Sequence, residues 1–230
     1  MPCYTFVIRP SEKRVSDGTL ASARDRRHPT PLLQRIHGLD SAVEAWVAGR
    51  RSGPLDATAH LLSSAADRSK LWAAIALVRA LTDRETGRQA GARALVTVAI
   101  QSALVEGLVK RATRRDRPGS DVPLRFRARR PPSTSFPSGH AASAAAAAVL
   151  LADGRPGWRA PLAVLAVGVA WSRVQTGLHH LSDILAGLAL GAAVGLLVRR
   201  LLPLPGSTER VAGPQAPAAG AGAPEDLRVH

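Results

Sequence analysis

Three short polar segments of this chain each lie at an end of an apolar run, and together they hold the residues that could carry out chemistry. Segment 110–118 directly follows one apolar run, 135–140 directly precedes an alanine-rich run, and 172–183 separates two further runs. If consecutive runs are antiparallel helices, all three segments emerge at the same end of the molecule. The sequence therefore predicts one polar site built from three separate stretches of chain.

The side chains in these segments are of the kinds that bind phosphate. Lys110, Arg117 and Arg173 supply three cations, and arginine can hold phosphate oxygens through two parallel hydrogen bonds while lysine acts as a point charge. Ser138 and Gly139 stand at a predicted helix start, where unpaired N–H groups and the helix dipole attract anions and glycine allows a close backbone approach. These five residues predict a phosphate-binding site that needs no metal.

Two histidines and one aspartate supply the groups that phosphoryl transfer requires. Imidazole is a competent nucleophile at neutral pH when a hydrogen bond orients it. His179 and Asp183 are four residues apart and share a helix face, so we expect Asp183 to accept the Nδ1 proton and leave Nε2 free to attack. His140 is placed to protonate the leaving oxygen and later to activate water. The predicted reaction has two steps and passes through a phosphohistidine.

Metal ions and nucleic acid are alternative ligands for such residues. His179, His180 and Asp183 make a poor metal cage because no further histidine or carboxylate lies at ligand spacing, and the single cysteine, Cys3, cannot build a thiolate site. The net charge of +14 fits a polyanion or an anionic membrane surface. The arginine-rich stretch 111–130 nearly lacks the aromatic residues that stack on bases. We therefore expect no metal, no cofactor and no nucleic-acid partner.

The elements that carry these segments are apolar runs of helical character. The runs are 71–81, 92–109, 141–152, 161–171 and 184–198. An amphipathic helix is predicted over 31–49 and a shorter helix over 54–64. A membrane span needs about 20 apolar residues, and most runs reach that length only with flanking residues, some of them arginines that can extend to the interface. The sequence predicts an all-α, membrane-embedded bundle of about four to six spans, with a soluble helical bundle as the alternative.

The two ends of the chain differ in composition from the part between them. Residues 1–30 are charged and rich in serine and arginine, and residues 206–230 are rich in proline, glycine and alanine. Both compositions are typical of disordered tails. The folded part is therefore predicted to be one membrane-embedded domain over 31–205, with its motif core at about 92–200. Arginines lie on both sides of the predicted spans, so the distribution of charge leaves the orientation open.

Read in order, the three segments resemble the signature of the type 2 phosphatidic acid phosphatase superfamily, which also includes bacterial acid phosphatases and vanadium haloperoxidases. That signature is Lys-x6-Arg-Pro, Pro-Ser-Gly-His and Ser-Arg-x5-His-x3-Asp, and segments 110–118, 137–140 and 172–183 match it without a broken position. The resemblance covers roughly residues 55–200. It implies that His179 is the nucleophile, His140 the acid and base, and Asp183 the residue that orients His179. It also implies phosphate binding by Lys110, Arg117, Ser138, Gly139 and Arg173.

The resemblance further implies a helical bundle with up to six spans in the cell membrane, a lipid phosphate as substrate and a site that faces away from the cytoplasm. The stretch 129–144 and the Leu71-Trp72 region resemble an actinobacterial subgroup, one member of which dephosphorylates decaprenylphosphoryl-5-phosphoribose in making a cell-wall precursor. An undecaprenyl-diphosphate phosphatase, a soluble acid phosphatase and a vanadate-dependent haloperoxidase are the alternatives. His180 and Leu181 replace an aromatic residue and a proline that many lipid-acting relatives have, so we expect a change at the edge of the pocket only.

Overall fold

Every regular element in the described part of the chain is helical. The computed structural model describes residues 30–113, 115–119, 122 and 133–205. Its α-helices are α1 (Pro31–Ala48), α2 (Gly53–Ala65), α3 (Lys70–Thr82), α4 (Thr86–Leu104), α5 (Lys110–Thr113), α6 (Gly139–Leu151), α7 (Pro156–Gln175) and α8 (Leu181–Leu201). A 3₁₀ turn, Asp67–Ser69, lies between α2 and α3, and a π-helical segment, Val105–Val109, joins α4 to α5. The all-α prediction is confirmed.

Each predicted run overlaps a helix, and the largest differences are at two helix starts. Helix α4 begins at Thr86, six residues before the predicted start at 92, and the other clear difference is at α7. This helix begins at Pro156, five residues before the predicted start at Pro161. A proline in the first turn costs little because its missing N–H would have no helical partner there. Pro161 lies inside the helix, where it removes one backbone hydrogen bond without ending the element. The predicted tails, apart from residue 30, and the arginines between 125 and 130 lie outside the described residues.

Two of the described helices are long and apolar enough to cross a membrane. They are the continuous helix Thr86–Thr113, which includes α4 and α5, and Leu181–Leu201, while Gly139–Leu151 is apolar but shorter. Large apolar side chains are also exposed on the flanks of α3, α4, α7 and α8, where a bilayer would cover them. They include Leu77, Leu81, Val96, Ile100, Leu104, Val164, Val167, Leu185 and Leu197. The number of spans stays a prediction.

The alanine-rich α6 lies at the centre of the bundle and packs closely against α8. A Cβ atom at Gly191 would lie 2.0 Å from the carbonyl oxygen of Ala142, and one at Gly187 would lie 2.5 Å from that of Ser138. Only glycine at these two positions lets the backbones approach so closely, as in many helix pairs within membranes. This contact holds the first turn of α8 against the first turn of α6, and both turns carry predicted site residues.

Candidate active site

The structure brings the three predicted segments together at one end of the bundle. Segment 110–118 follows the long helix that ends in α5, Ser138 caps α6, and the loop from α7 to α8 holds His179. A guanidinium Nη1 of Arg117 lies 3.3 Å from Nε2 of His179. The backbone N–H of Ser138 donates to the carbonyl of Asp183 at 3.0 Å. Residues far apart in the sequence therefore form one site.

His179 is almost completely buried, and its environment keeps the imidazole neutral. Its side chain is 2% exposed. Burial lowers the pKa of His179 to about 4, and the charges of Arg173 and Arg117 also lower it, while Asp183 raises it. A buried cation without a close counter-ion is costly, so the uncharged ring is favoured. An unprotonated nitrogen is what a nucleophile requires at neutral pH.

The expected hydrogen bond between His179 and Asp183 is longer in the structure than the helical spacing predicted. Nδ1 of His179 is 3.6 Å from Oδ2 of Asp183 and has no hydrogen-bond partner among the described residues. Both carboxylate oxygens of Asp183 already accept bonds, Oδ2 from the backbone N–H of His180 at 2.9 Å and Oδ1 from Arg115 at 2.6 Å. Asp183 caps the start of α8 and faces His179 at the same time.

Arg117 is held in place by backbone carbonyls. Nη1 donates to the carbonyl of Leu178 at 2.8 Å, and Nη2 and Nε donate to those of Thr134 and Ser133, each at 3.2 Å. Carbonyls fix the orientation of the guanidinium without cancelling its charge. The cation therefore stands directly beside the Nε2 atom that would carry a phosphoryl group.

The other predicted cations and His140 pair with two carboxylates. Nζ of Lys110 forms an ion pair with Glu106 and donates to the hydroxyl of Ser133 at 3.3 Å. Oδ1 of Asp67 lies 2.8 Å from Nε2 of His140 and 3.8 Å from a guanidinium nitrogen of Arg173. The hydrogen bond with His140 is the main cause that holds the pKa of Asp67 below its usual range. Each carboxylate occupies a position close to the cations that a phosphate would also need.

Ser138 and Gly139 form the start of α6, as the sequence predicted. The hydroxyl oxygen of Ser138 accepts the backbone N–H of Ala141 at 3.4 Å and so caps the helix. Ser138 is fully buried, and its backbone N–H donates to the carbonyl of Asp183, so that N–H group is not available to an anion. A side chain at Gly139 would point towards Glu106, with its Cβ 3.4 Å from Oε1. The glycine therefore keeps this edge of the site open.

Sequence reasoning missed Asp67, Arg115 and Asp40, and it left the direction of Glu106 open. Arg115 lies within the Lys-x6-Arg spacer, where nothing distinguishes it from its arginine neighbours, and Asp40 is 75 residues away from it along the chain. No sequence signal pairs residues so far apart. His180 also does more than border the pocket, because its Nδ1 lies 2.5 Å from Oε1 of Glu44 on α1.

Metal ligands are not clustered in the part of the chain that the structure describes. Within 30–113, 115–119, 122 and 133–205, no group of three or more His, Cys, Asp or Glu side chains could hold a metal ion. The described side chains of the site carry imidazole, guanidinium, ammonium and carboxylate groups. Such a set can bind an anion, supply a nitrogen nucleophile and move a proton.

Comparisons with known proteins identify the family that this chain resembles. Residues 90–205 match the profile of the family described as the PAP2 superfamily. Decaprenylphosphoryl-5-phosphoribose phosphatase of Mycobacterium tuberculosis is 39% identical over 147 residues, which are 62% of this chain and 77% of that protein. Lipid A 1-phosphatase of Rhizobium etli is 34% identical over 111 residues, which are 45% of this chain and 47% of that protein.

A solved structure has a similar fold. The crystal structure of a transmembrane PAP2 type phosphatidylglycerolphosphate phosphatase from Bacillus subtilis superposes with a TM-score of 0.60 at 24% identity. The match covers 79% of this chain and 90% of that chain. At this level of identity the likeness concerns the fold alone.

Proposed function

This chain belongs to the PAP2 superfamily of phosphatases, and we propose that it is a multi-pass cell-membrane enzyme that hydrolyses a lipid phosphate through a phosphohistidine. The observation that carries the proposal is the contact between Nε2 of His179 and the guanidinium of Arg117, 3.3 Å apart. This contact supports a role for Nε2 as a neutral nitrogen nucleophile, because a fixed cation lies beside it and the ring is buried.

Binding comes first in the proposed mechanism. Lys110, Arg117 and Arg173 neutralise the phosphate, and the first turn of α6, with Ser138 and Gly139, faces its remaining oxygens. A lipid phosphate competes with Glu106 and Asp67 for Lys110 and Arg173, because like charges cannot share one set of cations. Entry of the substrate is therefore an exchange of one anion for another, which limits the cost of desolvating the cations.

Transfer and hydrolysis follow. Nε2 of His179 attacks phosphorus as the bond to the leaving oxygen breaks, and His140 gives that oxygen its proton. Asp183 steadies the ring from the Nδ1 side and compensates the positive charge that develops on it. A water molecule then attacks the phosphohistidine, with His140 as base, and releases inorganic phosphate. None of these steps needs a metal or an organic cofactor.

We propose decaprenylphosphoryl-5-phosphoribose as the substrate. The support is the 39% identity to the mycobacterial phosphatase, over 77% of that protein. The apolar surface of α3, α4, α7 and α8 is suited to a polyprenyl chain that reaches the site from within the bilayer. By analogy with the family as a whole, we propose that the site faces away from the cytoplasm.

The test is phosphate release by the detergent-purified full chain with EDTA present. The panel contains decaprenylphosphoryl-5-phosphoribose, undecaprenyl diphosphate, phosphatidic acid and a soluble aryl phosphate. Each is run with the wild type, His179→Ala and His37→Ala, the last a matched control because His37 is exposed on α1. Release from the phosphoribose lipid that only His179→Ala abolishes supports the proposal. Preference for another lipid contradicts the proposed substrate. Full activity in His179→Ala contradicts the proposed mechanism.

A further inference from the structure

Arg115 lies between two buried carboxylates that come from opposite ends of the sequence. Its Nη1 donates to Oδ1 of Asp183 at 2.6 Å and to the hydroxyl of Ser182 at 2.7 Å, while its Nη2 donates to Oδ2 of Asp40 at 2.6 Å. Asp183 is the predicted partner of His179, and Asp40 belongs to α1. The guanidinium of Arg115 thus joins α1 to the first turn of α8.

Asp40 also holds the first turn of α8 directly. Its Oδ1 accepts the backbone N–H of Ser182 at 2.9 Å, and its Oδ2 accepts the Ser182 hydroxyl at 2.7 Å. Burial raises the pKa of Asp40, and the bonds from Ser182 and Arg115 more than offset this effect, so the pKa ends below its usual range. Asp40 is only 3% exposed. A buried carboxylate stays charged only when hydrogen bonds and ion pairs satisfy its oxygens.

Two hydrogen bonds that Asp183 accepts, from Arg115 and from the backbone N–H of His180, fix the direction in which its carboxylate points. With Oδ1 on Arg115 and Oδ2 on the N–H of His180, the carboxylate cannot rotate, and Oδ2 stays on the side of His179. Arg115 is itself kept from rotating by Asp40, because a planar guanidinium that bridges two carboxylates has one orientation. A shift of about 1 Å in a group that orients a nucleophile can cost about 100-fold in rate.

We propose that Asp40 and Arg115 are positioning residues for the Asp183–His179 pair, so that α1 belongs to the catalytic unit. The inference rests on the proposed function of His179 as the nucleophile. Helix α1 lies outside residues 90–205, the part that matches the family profile. Asp183, which lies in the part that matches the family profile, is therefore held in position by a helix that precedes that part.

The experiment compares Asp40→Asn and Arg115→Gln with Asp56→Asn in the full detergent-purified chain. Asp56 is a matched control, since it is also 3% exposed and accepts bonds from Arg51 at 3.2 Å and Gln175 at 2.7 Å. Decaprenylphosphoryl-5-phosphoribose is the substrate, with phosphatidic acid as a second. The readouts are kcat, KM, the Tm and the amount of ³²P trapped on the protein in an alkaline denaturing quench, because phosphohistidine is hydrolysed in acid and survives in alkali.

We expect Asp40→Asn and Arg115→Gln to lower kcat by about 10- to 100-fold, to slow formation of the trapped phosphohistidine, and to leave KM within about twofold. Arg115→Lys should resemble Arg115→Gln, because one ammonium cannot bridge two carboxylates. The double variant should lose little more than either single variant, since both changes break one linkage. Asp56→Asn should lower the Tm and leave kcat unchanged.

Two different results would overturn two different statements. If wild type is active and His179→Ala is not, but Asp40→Asn and Arg115→Gln lower only the Tm, as Asp56→Asn does, the positioning role is wrong. If His179→Ala keeps full activity and no ³²P is trapped on the wild type, the proposed function fails, and the positioning role fails with it.

Discussion

The two ends of the helical bundle both bury charged side chains, but they do so with different residues. The end that holds the candidate site contains the imidazoles of His140, His179 and His180, and a lysine among its arginines and carboxylates. At the opposite end, Asp153 binds Arg93 at 2.5 Å and Arg199 at 3.1 Å, and the fully buried Arg79 binds Asp83 at 2.8 Å. Asp153 thus ties the α6–α7 turn to α4 and to the end of α8, and Arg79 on α3 joins the same turn by donating to the carbonyl of Asp153 at 3.2 Å.

The difference teaches that buried charge alone does not mark an active site. Arginine and aspartate keep their charges at every physiological pH, and at the opposite end the hydrogen bond from Thr86 and the bond from Arg79 hold the pKa of Asp83 far below its usual range. Such a network can join helices but cannot move a proton. The end that holds His179 also contains imidazoles, which can accept and donate a proton, and such groups distinguish a candidate active site from a network that only joins helices.

The sharpest contrast between the two ends is the loss of the nucleophile. His179→Ala removes the proposed nucleophile, and we expect kcat to fall by more than about 10⁴-fold, as when other covalent nucleophiles are removed. Arg199→Gln at the opposite end, where Arg199 is 41% exposed, should leave kcat within about twofold. Phosphate release at saturating lipid measures both. Equal losses of kcat in the two variants would contradict the assignment of the active site to the end that holds His179.

The second effect concerns the proton donor. His140→Ala should lower kcat by about 10²- to 10⁴-fold, because the leaving oxygen then departs without a proton and water lacks a base. With an aryl phosphate, whose leaving group needs little help, ³²P should accumulate on His179, since only the second step remains slow. Labelling followed by an alkaline denaturing quench tests this expectation. A variant that turns over lipid at the wild-type rate would remove His140 from the mechanism.

The third effect is on stability against pH. The pKa of an exposed histidine is about 6.5, and that of His179 is lowered to about 4 by burial. Between these values the unfolded chain binds more protons than the folded chain, so stability is complete above pH 6.5 and falls as the pH drops towards 4. The loss from this group is about 3 kcal/mol. Thermal melts at pH 5.0 and 7.5 should show a smaller pH dependence in His179→Ala, and an equal dependence would contradict the buried neutral ring.

The smallest effect is at Asp67, whose side chain is 55% exposed. Asp67→Asn loses the carboxylate that accepts from His140 and competes with phosphate for Arg173. Because solvent already screens this side chain, we expect a decrease of up to about tenfold in both kcat and KM. Steady-state kinetics with the preferred lipid separates the two constants. A rise in KM would show that Asp67 helps substrate binding and does not compete with it.

The helices and the composition of the site could be predicted because they depend on local signals. The apolar runs overlap α3, α4, α6, α7 and α8, and the motif spacing predicted that segments 110–118, 135–140 and 172–183 meet. The start of α7 was misplaced because a proline in a first turn and a proline inside a helix look alike in the sequence. Periodicity also cannot show how much of a run is covered by protein and how much by lipid.

By itself the sequence determined the residue types of the site and the fold class, since both follow from short-range pattern and residue chemistry. Only the tertiary structure decided which charges meet. It placed Asp67 on His140, Glu106 on Lys110, and Arg115 between Asp40 and Asp183. The physical reason is that an ion pair depends on distance in space, and the packing of α1, α3 and α8 around α6 sets those distances. Those distances cannot be read from the order of the residues along the chain.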